Sequence, residues 1–306
     1  MRAVVVSKFG SLDLIEVPTS EPGPGQVRIE VAAAAVNPVD VLTRDGVVPI
    51  DAEQLPVGLG WDVAGRVDAM GAGVEQFAVG DVVLGLEDQL VMELGPYADF
   101  VVLDAAAVAP APRTVDAIAA STLPLNAVTA AQSLDLIDLA PGQTLLVTGA
   151  AGAVGGFVVE LATARGLHVV ALAGAGDEQA VRGWGARTFV PRSDDPAGAV
   201  RAIFPDGVDG VIDPAHLRES VLGAVRDGGA YVNLAPSLGP APTERAIRRL
   251  DQFAHHDGAL LAELGRLVDA GRLTLRVAQT FPLDEAPAAL DLAGKDGVRG
   301  RVVIVP

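Results

Sequence analysis

Residues 143–165 read QTLLVTGAAGAVGGFVVELATAR. No charged side chain occurs from Thr144 to Val159, so the stretch is either a membrane span or a strand, a turn and a helix. A spanning helix takes about 20 apolar residues. This run is shorter, contains Gly149, Gly152, Gly155 and Gly156, and is followed by Glu160 and Arg165. It therefore reads as a buried strand ending at Thr148, a glycine turn, and an amphipathic helix from Ala153 to Arg165. Glycines at such a turn let the chain leave the strand tightly and let backbone approach a pyrophosphate. They also let the helix pack closely, with its N-terminal N–H groups turned to the phosphates. The window is Ala150-x-Gly152-x-x-Gly155, with Ala where the usual fingerprint has its first Gly. Ala150, Gly152, Ala153, Val154 and Gly155 are the candidate cofactor-binding residues. The competing reading is a tight strand–helix turn without a ligand, and the strand–turn–helix–strand context favours a dinucleotide.

Around this segment strands and helices alternate. LHVVAL (167–172), VDGVID (208–213) and GAYVNLA (229–235) are short apolar strands. A helix is expected from Glu178 to Trp184, another over HLRESVLGAVRD (216–227), and a long helical stretch from Thr243 to Ala270 with a break at Asp257-Gly258. Fully apolar strands alternating with helices make a parallel sheet covered on both faces. Residues 1–110 differ. QVRIEVAAAAV alternates apolar and polar residues, and WDVAGRVDAM, GDVVLGL and ADFVVL are short runs bounded by turn residues, as in a small barrel-like unit. The C-terminal end returns to that pattern in LTLRVAQTF and RGRVVIVP, on either side of a helix at DEAPAALDLA.

Half of the 306 residues are hydrophobic, the formal net charge is −17 and the pI is near 4.5. Such a surface repels phosphate backbones and anionic lipid, which disfavours nucleic-acid and membrane partners. There is no cysteine, which removes disulfides, thiol nucleophiles and cysteine-ligated zinc. The four histidines, His168, His216, His255 and His256, show no ligand spacing; the last two are expected on a helix, pointing apart. The N-terminal MRAVVVSKFG reads as a strand rather than a signal peptide, so the expected compartment is the cytoplasm.

Dinucleotide preference is set after the second strand. Asp177 follows that strand and would bind a ribose 2′-hydroxyl while repelling a 2′-phosphate. It also suits a helix start, where acids are favoured. Arg182, Arg187 and Arg192 lie nearby and offset it. The residues alone leave NAD and NADP open.

Six phrases extend the reading to nearly the whole chain: GPGQVRIEVAAAAVNPVD, GWDVAGRVDAMGAGVEQFAVGDVV, GPYADFVV, LPLNAVTAAQSL, PGQTLLVTGAAGAVGG and GVRGRVVIVP. Together they resemble the zinc-free quinone oxidoreductase (zeta-crystallin-like) branch of the medium-chain dehydrogenase/reductases. The resemblance implies an α/β chain with a GroES-like β-barrel catalytic domain over 1–118 and 263–306. It implies a Rossmann doubly wound parallel sheet over 119–262, with the active site in the cleft. It further implies reduction of a small electrophilic acceptor, a quinone, an enone or a related carbonyl compound, with NADPH as the favoured cofactor and NADH open. Relatives of this kind form homodimers, and the strand in GGAYVNLAP (228–236) is a candidate for pairing across a dimer. Asp177 stands where NADPH-using relatives tend to have a neutral or basic residue. Arg192 stands where many have Tyr, and it suits a 2′-phosphate. Zinc-dependent cousins have Cys near Val39-Asp40 and His-Glu near Trp61-Asp62, and neither occurs here.

Without a metal, hydrogen-bond donors must stabilise the oxyanion that develops on hydride transfer. The candidate catalytic residues are Asn37 as amide donor, Asp40 as an acidic orienting group, and Trp61 as cleft lining or core packing. Asn37 alternatively forms an Asx turn. Thr129 matches a family position near the nicotinamide, or is a helix residue with no ligand. Many relatives carry a donor Tyr where this chain has Leu42. Tyr97 is a weak substitute, better read as packing the barrel. Leu42 motivates a rival function, a non-catalytic NADPH-binding redox sensor or scaffold; an enoyl-thioester reductase is a further alternative.

Overall fold

The computed structural model describes residues 1–234, 244–295 and 297–306. Ala235 and Pro236 of the expected dimer strand, and Thr243 of the expected long helix, lie outside them. The chain divides into two compact units, Met1–Val128 with His255–Pro306, and Thr129–Ala254. The borders expected at 118/119 and 262/263 thus fall at 128/129 and 254/255. The first border lies inside a continuous helix, so no loop or change of composition marks it.

The first unit begins with β1 (Arg2–Lys8), β2 (Ser11–Glu16), β3 (Gln26–Ala35), α1 (Pro38–Arg44), β4 (Val57–Gly58) and β5 (Asp62–Met70). β6 (Val82–Leu86), β7 (Phe100–Asp104), β8 (Val108–Pro110), α2 (Ala117–Ala120) and α3 (Pro124–Ile137) follow, and α3 carries the chain across the border. The second unit contains β9 (Thr144–Val147), α4 (Ala153–Ala164), β10 (His168–Ala173), α5 (Glu178–Gly183), β11 (Thr188–Pro191) and α6 (Pro196–Arg201). It continues with β12 (Val208–Asp213), α7 (Glu219–Leu222), β13 (Val225–Asn233) and β14 (Arg248–Asp251). The chain returns through α8 (Gly258–Asp269), β15 (Val277–Pro282), α9 (Ala286–Ala293) and β16 (Arg301–Val305).

In the first unit β3 is the centre. It pairs antiparallel with β5, β7 and β16, in a sheet ordered β15-β16-β3-β5-β6-β8. β2-β1-β4 forms a second, smaller sheet. Val27, Ile29 and Val31 are buried on one face of β3 and pack with Val63, Val67, Val101 and Ile304, as the alternating sequence requires. The C-terminal strand β16 thereby joins the N-terminal barrel residues in one core.

The second unit is a parallel sheet ordered β11-β10-β9-β12-β13-β14. Leu145, Leu146 and Val147 of β9 are fully buried, which explains the missing charge in the segment. The strand order reverses between β9 and β12, and at such a switch point a crevice opens beyond the strand C-termini.

Three sequence expectations change. The first half of the helix expected from Thr243 is a short helical turn and then β14, whose RRLD carries too little apolar surface to announce a strand. β14 covers β13, so β13 is not an edge strand, and among the described residues the outermost strand on that side is β14. In HLRESVLGAVRD only Glu219–Leu222 is helical; Val225 already belongs to β13.

Gly155 is where β9 and α4 touch. A Cβ there would lie 2.2 Å from Gly149 O and 2.8 Å from Gly149 C, both backbone atoms that cannot swing away. Gly155→Ala is therefore expected to cost about 1–3 kcal/mol of stability through overpacking, read as a lower unfolding midpoint in urea. An unchanged midpoint would contradict this packing.

Candidate functional site

The glycine turn begins at Thr148, whose fully buried hydroxyl donates to the Asp213 carboxylate and accepts from Ala215 N–H at 3.1 Å. Gly149 takes φ +53°, so the residue that makes the tight turn is Gly149. Ala150 is buried and donates its N–H to Leu172 O at 3.1 Å. Its amide is thus committed to β10 and its side chain to the core. Gly152 is exposed and precedes α4 in extended conformation, with its N–H on Gly149 O. The first helical bond runs from Gly156 N–H to Gly152 O. The amides of Ala153, Val154 and Gly155 therefore stand ahead of the helical ladder, in the position where a helix N-terminus attracts an anion.

Asp213 is the hub of this end of the sheet, and sequence reasoning missed it. It ends β12 and is fully buried. Besides Thr148 it accepts from the Tyr231 hydroxyl at 2.7 Å, Leu217 N–H at 3.1 Å and Arg218 N–H at 2.8 Å. Burial first, and then the nearby Asp213 charge, raise the Tyr231 pKa. A carboxylate with four donors ties β9, β12, β13 and the loop 214–218 together. The signal available in the sequence was an acid closing an apolar strand, VDGVID.

Asp177 and Arg192 lie beyond the C-terminal ends of β10 and β11, which pair at Ala173 and Pro191. Arg192 N–H donates to Ala173 O at 2.7 Å and its side chain is exposed, without an ion pair among the described residues. Asp177 is half-buried at the end of a short helical turn, while Arg182 pairs with Glu178 at 2.8 Å. Both residues thus share the sheet end of the glycine turn. Thr129 is buried on α3, where its carbonyl accepts the Ser133 hydroxyl at 2.7 Å.

In the first unit Asn37 and Asp40 enter a buried polar cluster. Pro38 starts α1 with its φ already set, and Asp40 in the first turn accepts from Asn37 N–H at 2.8 Å, which holds the helix start. Asp40 also accepts from Gly60 N–H at 2.9 Å and the Tyr97 hydroxyl at 2.8 Å. The Asn37 amide donates to Asp62 at 2.7 Å and accepts from Asn126 at 3.2 Å. Asp62 also receives Leu125 N–H at 2.6 Å, and the Arg301 guanidinium donates to the Asn126 amide oxygen. Asn37, Asp40, Asp62, Tyr97 and Asn126 are all fully buried. The Asn37 amide is thus engaged inside the protein, where it positions α1 against β5. Tyr97, committed to Asp40, packs the barrel. Trp61 is half-buried beside Asp62, with its carbonyl accepting Glu87 N–H at 2.8 Å. Asp62, Asn126 and Arg301 lie far apart in sequence, so no local pattern announced their meeting.

Burial outweighs pairing at the two carboxyls and the guanidinium of this cluster, and acts together with Asp40 on Tyr97. It pushes Asp40 up to about 6, against the donors Asn37, Tyr97 and Gly60. It pushes Asp62 up to about 7, against Asn37 and Leu125. It lowers Arg301 despite the Asp62 and Asp40 charges, and raises Tyr97 well above the usual phenol value. All four groups move toward their neutral forms.

His255 and His256 precede α8 in non-helical chain, contrary to the expected helix, and His256 Nδ1 lies 3.1 Å from Asp88. Among the described residues no group of three His, Asp or Glu side chains is placed to hold a metal ion, and no helix is long and apolar enough to cross a membrane.

Residues 23–113 match the family model of the alcohol dehydrogenase GroES-like domain, and residues 184–304 that of zinc-binding dehydrogenases. A solved alcohol dehydrogenase superfamily protein from Novosphingobium aromaticivorans is 31% identical, with a TM-score of 0.89 over 100% of this chain and 99% of that one. The quinone oxidoreductase from Coxiella burnetii is 26% identical, with a TM-score of 0.87 over 100% and 99%. The chloroplastic NADPH-dependent alkenal/one oxidoreductase of Arabidopsis thaliana is 27% identical over 100% of this chain and 80% of its own length.

A raised carboxyl pKa destabilises the fold when the group ionises. The stability is complete below the ordinary Asp value of 3.8 and is lost as pH rises through about 6 for Asp40 and about 7 for Asp62. The unfolding midpoint is expected to rise as pH falls from about 8 to about 5, and to depend less on pH in Asp62→Asn. Thermal unfolding across that range checks it; equal slopes in both proteins would contradict the assignment.

Proposed function

The chain belongs to the medium-chain dehydrogenase/reductase superfamily, and on that premise we propose that it is an NADPH-dependent reductase of small electrophilic acceptors. The acceptors are enals, enones and quinones, in which a carbonyl withdraws electrons from a conjugated C=C bond. The observation that carries the reading is the glycine turn. Gly155 leaves no room for a side chain, and the amides of Ala153, Val154 and Gly155 stand ahead of the helical ladder beside the switch point. The residues present fit a dinucleotide. Gly152, Ala153, Val154 and Gly155 would hold its pyrophosphate, and Arg192 the 2′-phosphate of NADPH. The Arabidopsis relative, named as NADPH-dependent and acting on alkenals and alkenones, supports the same cofactor and acceptor class. The Coxiella neighbour, named as a quinone oxidoreductase, supports the quinone arm.

When bound, the dinucleotide supplies the hydride. The chain's own residues orient and polarise. Asn37, Asp62, Asn126 and Arg301 form one hydrogen-bonded chain at the start of α1, next in sequence to Trp61. Asn37 and Asp40 act in this scheme as positioning residues, because both are buried and engaged. Oxyanion stabilisation falls to hydrogen bonds rather than to cysteine-ligated zinc, for which the chain has no ligand. Leu42 offers no proton and the Tyr97 hydroxyl is held by Asp40, so the final proton comes from water, a cofactor hydroxyl or another donor. The acidic surface suits a cytoplasmic protein without nucleic-acid or membrane partners. A homodimer built edge to edge would pair through β14, the outermost strand.

Loss of nicotinamide absorbance during turnover tests the reading. Oxidation of NADPH is expected with enones or quinones, faster than with enoyl thioesters. Faster thioester turnover would mark an enoyl-thioester reductase, and tight NADPH binding with no acceptor reduced would mark a sensor. Arg192→Ala is expected to raise KM for NADPH about tenfold, the scale of one charge-assisted hydrogen bond, and to leave KM for NADH unchanged. Equal effects on both would remove Arg192 from the 2′-phosphate.

A further inference from the structure

The buried cluster at the start of α1 sets two carboxyls, Asp40 and Asp62, against one guanidinium, that of Arg301. Burial pushes both carboxyls toward the neutral form, and a charge on one opposes a charge on the other. The pair therefore ionises in two steps. After the first step one carboxylate balances Arg301 and one proton remains. Hydrogen bonding decides which carboxyl keeps it.

A guanidinium only donates. Arg301 donates to the Asn126 amide oxygen, so the Asn126 NH₂ faces the Asn37 oxygen, at 3.2 Å. The Asn37 NH₂ then faces Asp62, at 2.7 Å, and the other Asp62 oxygen accepts Leu125 N–H at 2.6 Å. Both of these partners are donors, so a proton on Asp62 would find no acceptor there. Turning both amides over would supply one, but would set the Asn126 NH₂ against the guanidinium. Arg301 thus locks Asp62 as an acceptor through two amides. Asp40 differs. It accepts from Asn37 N–H and Gly60 N–H, which cannot reverse, and from the Tyr97 hydroxyl, which can. That oxygen lies 2.8 Å from Asp40 and 3.4 Å from Ala35 O, the carbonyl that ends β3. By rotating onto Ala35 O the hydroxyl frees its oxygen to accept a proton-bearing Asp40, with no heavy atom displaced. The titratable groups around Asp40 are Tyr97, Asp62 and Arg301. Of the elements packed on α1, α9 brings Asp291, paired with Arg44 at the far end of α1. β1 brings Arg2, paired with Asp99, and the exposed Lys8.

We propose that Asp40 and Tyr97 form a proton-controlled switch. While Asp40 holds the proton, it donates to the Tyr97 oxygen and the Tyr97 hydroxyl donates to Ala35 O. When Asp40 releases the proton to water, the hydroxyl turns to Asp40. Asp62 stays ionised opposite Arg301 in both states. The pH thereby selects whether Tyr97 is tied to the end of β3 or to the start of α1.

The chain has two tyrosines, and Tyr231, bonded to Asp213 in the second unit, is the internal reference. The test is NMR of protein carrying isotope-labelled tyrosine, read at the ring carbon that bears the hydroxyl, from about pH 5 to about pH 8. Tyr97→Phe identifies the signal. In the wild-type protein the Tyr97 signal is expected to shift with one midpoint. The shift is expected to be lost in Asp40→Asn. In Asp62→Asn it is expected to persist, with its midpoint moved to lower pH because the opposing charge is gone. A Tyr97 signal that stays constant in the wild-type protein would overturn the switch. So would a shift that survives Asp40→Asn. Loss of the shift in Asp62→Asn would also overturn it, by placing the proton on Asp62. The wild-type signal and either variant alone decide the matter, so a substituted cluster that does not fold leaves the switch open to refutation by the other.

Discussion

The backbone of α4 passes so close to that of Gly149 that a Cβ on residue 155 would stand 2.2 Å from the Gly149 oxygen. This approach sets the geometry of the second unit. It lets α4 start directly over the end of β9, and it places the amides of Ala153, Val154 and Gly155 ahead of the helical ladder. The left-handed Gly149 is the corner that makes the turn possible. Asp213 then secures the other wall by gathering hydroxyls and amides from β9, β13 and the loop 214–218. Packing and hydrogen bonding shape the same few residues, and an anion site follows from both.

The first unit solves a different problem. Two carboxylates and a guanidinium are removed from water around the start of α1, and burial pushes each toward neutrality. The hydrogen bonds of Asn37, Asn126, Tyr97 and the Gly60 and Leu125 amides offset part of that cost. Such networks tend to fix one arrangement more than they add stability. Here the arrangement fixed is the junction of α1, β5, α3 and β16, four elements drawn from both ends of the chain. Of these residues, Asn37 was expected as an amide donor or an Asx-turn residue, and Asp40 as an orienting group. Both are buried and bonded within the scaffold, and the neighbouring Trp61 is half-exposed beside it.

The segment 143–165 was legible because its apolar run and its glycines report one local event, a buried strand turning into a helix. The alternation in QVRIEVAAAAV was legible for the same reason. β14 was not: RRLD is held by pairing with β13, and an edge strand needs no apolar alternation of its own. His255 and His256 read as helical because α8 begins just beyond them, at its cap Asp257. Within the sites, Asn37 and Asp40 were singled out through the family resemblance of VNPVD, not through the helix start that they form. Asp62, Asn126 and Arg301 meet them only through tertiary contacts. The left-handed φ of Gly149, which a sequence does not display, makes that residue the corner of the turn, one position before Ala150.

The most direct measurement of the central claim is a crystal structure of the protein grown with NADPH. The account predicts the pyrophosphate oxygens within hydrogen-bond distance of the amides of Ala153, Val154 and Gly155, between α4 and the loop 214–218. A dinucleotide bound away from the glycine turn, or a turn that stays free of NADPH at saturating concentration, would contradict it.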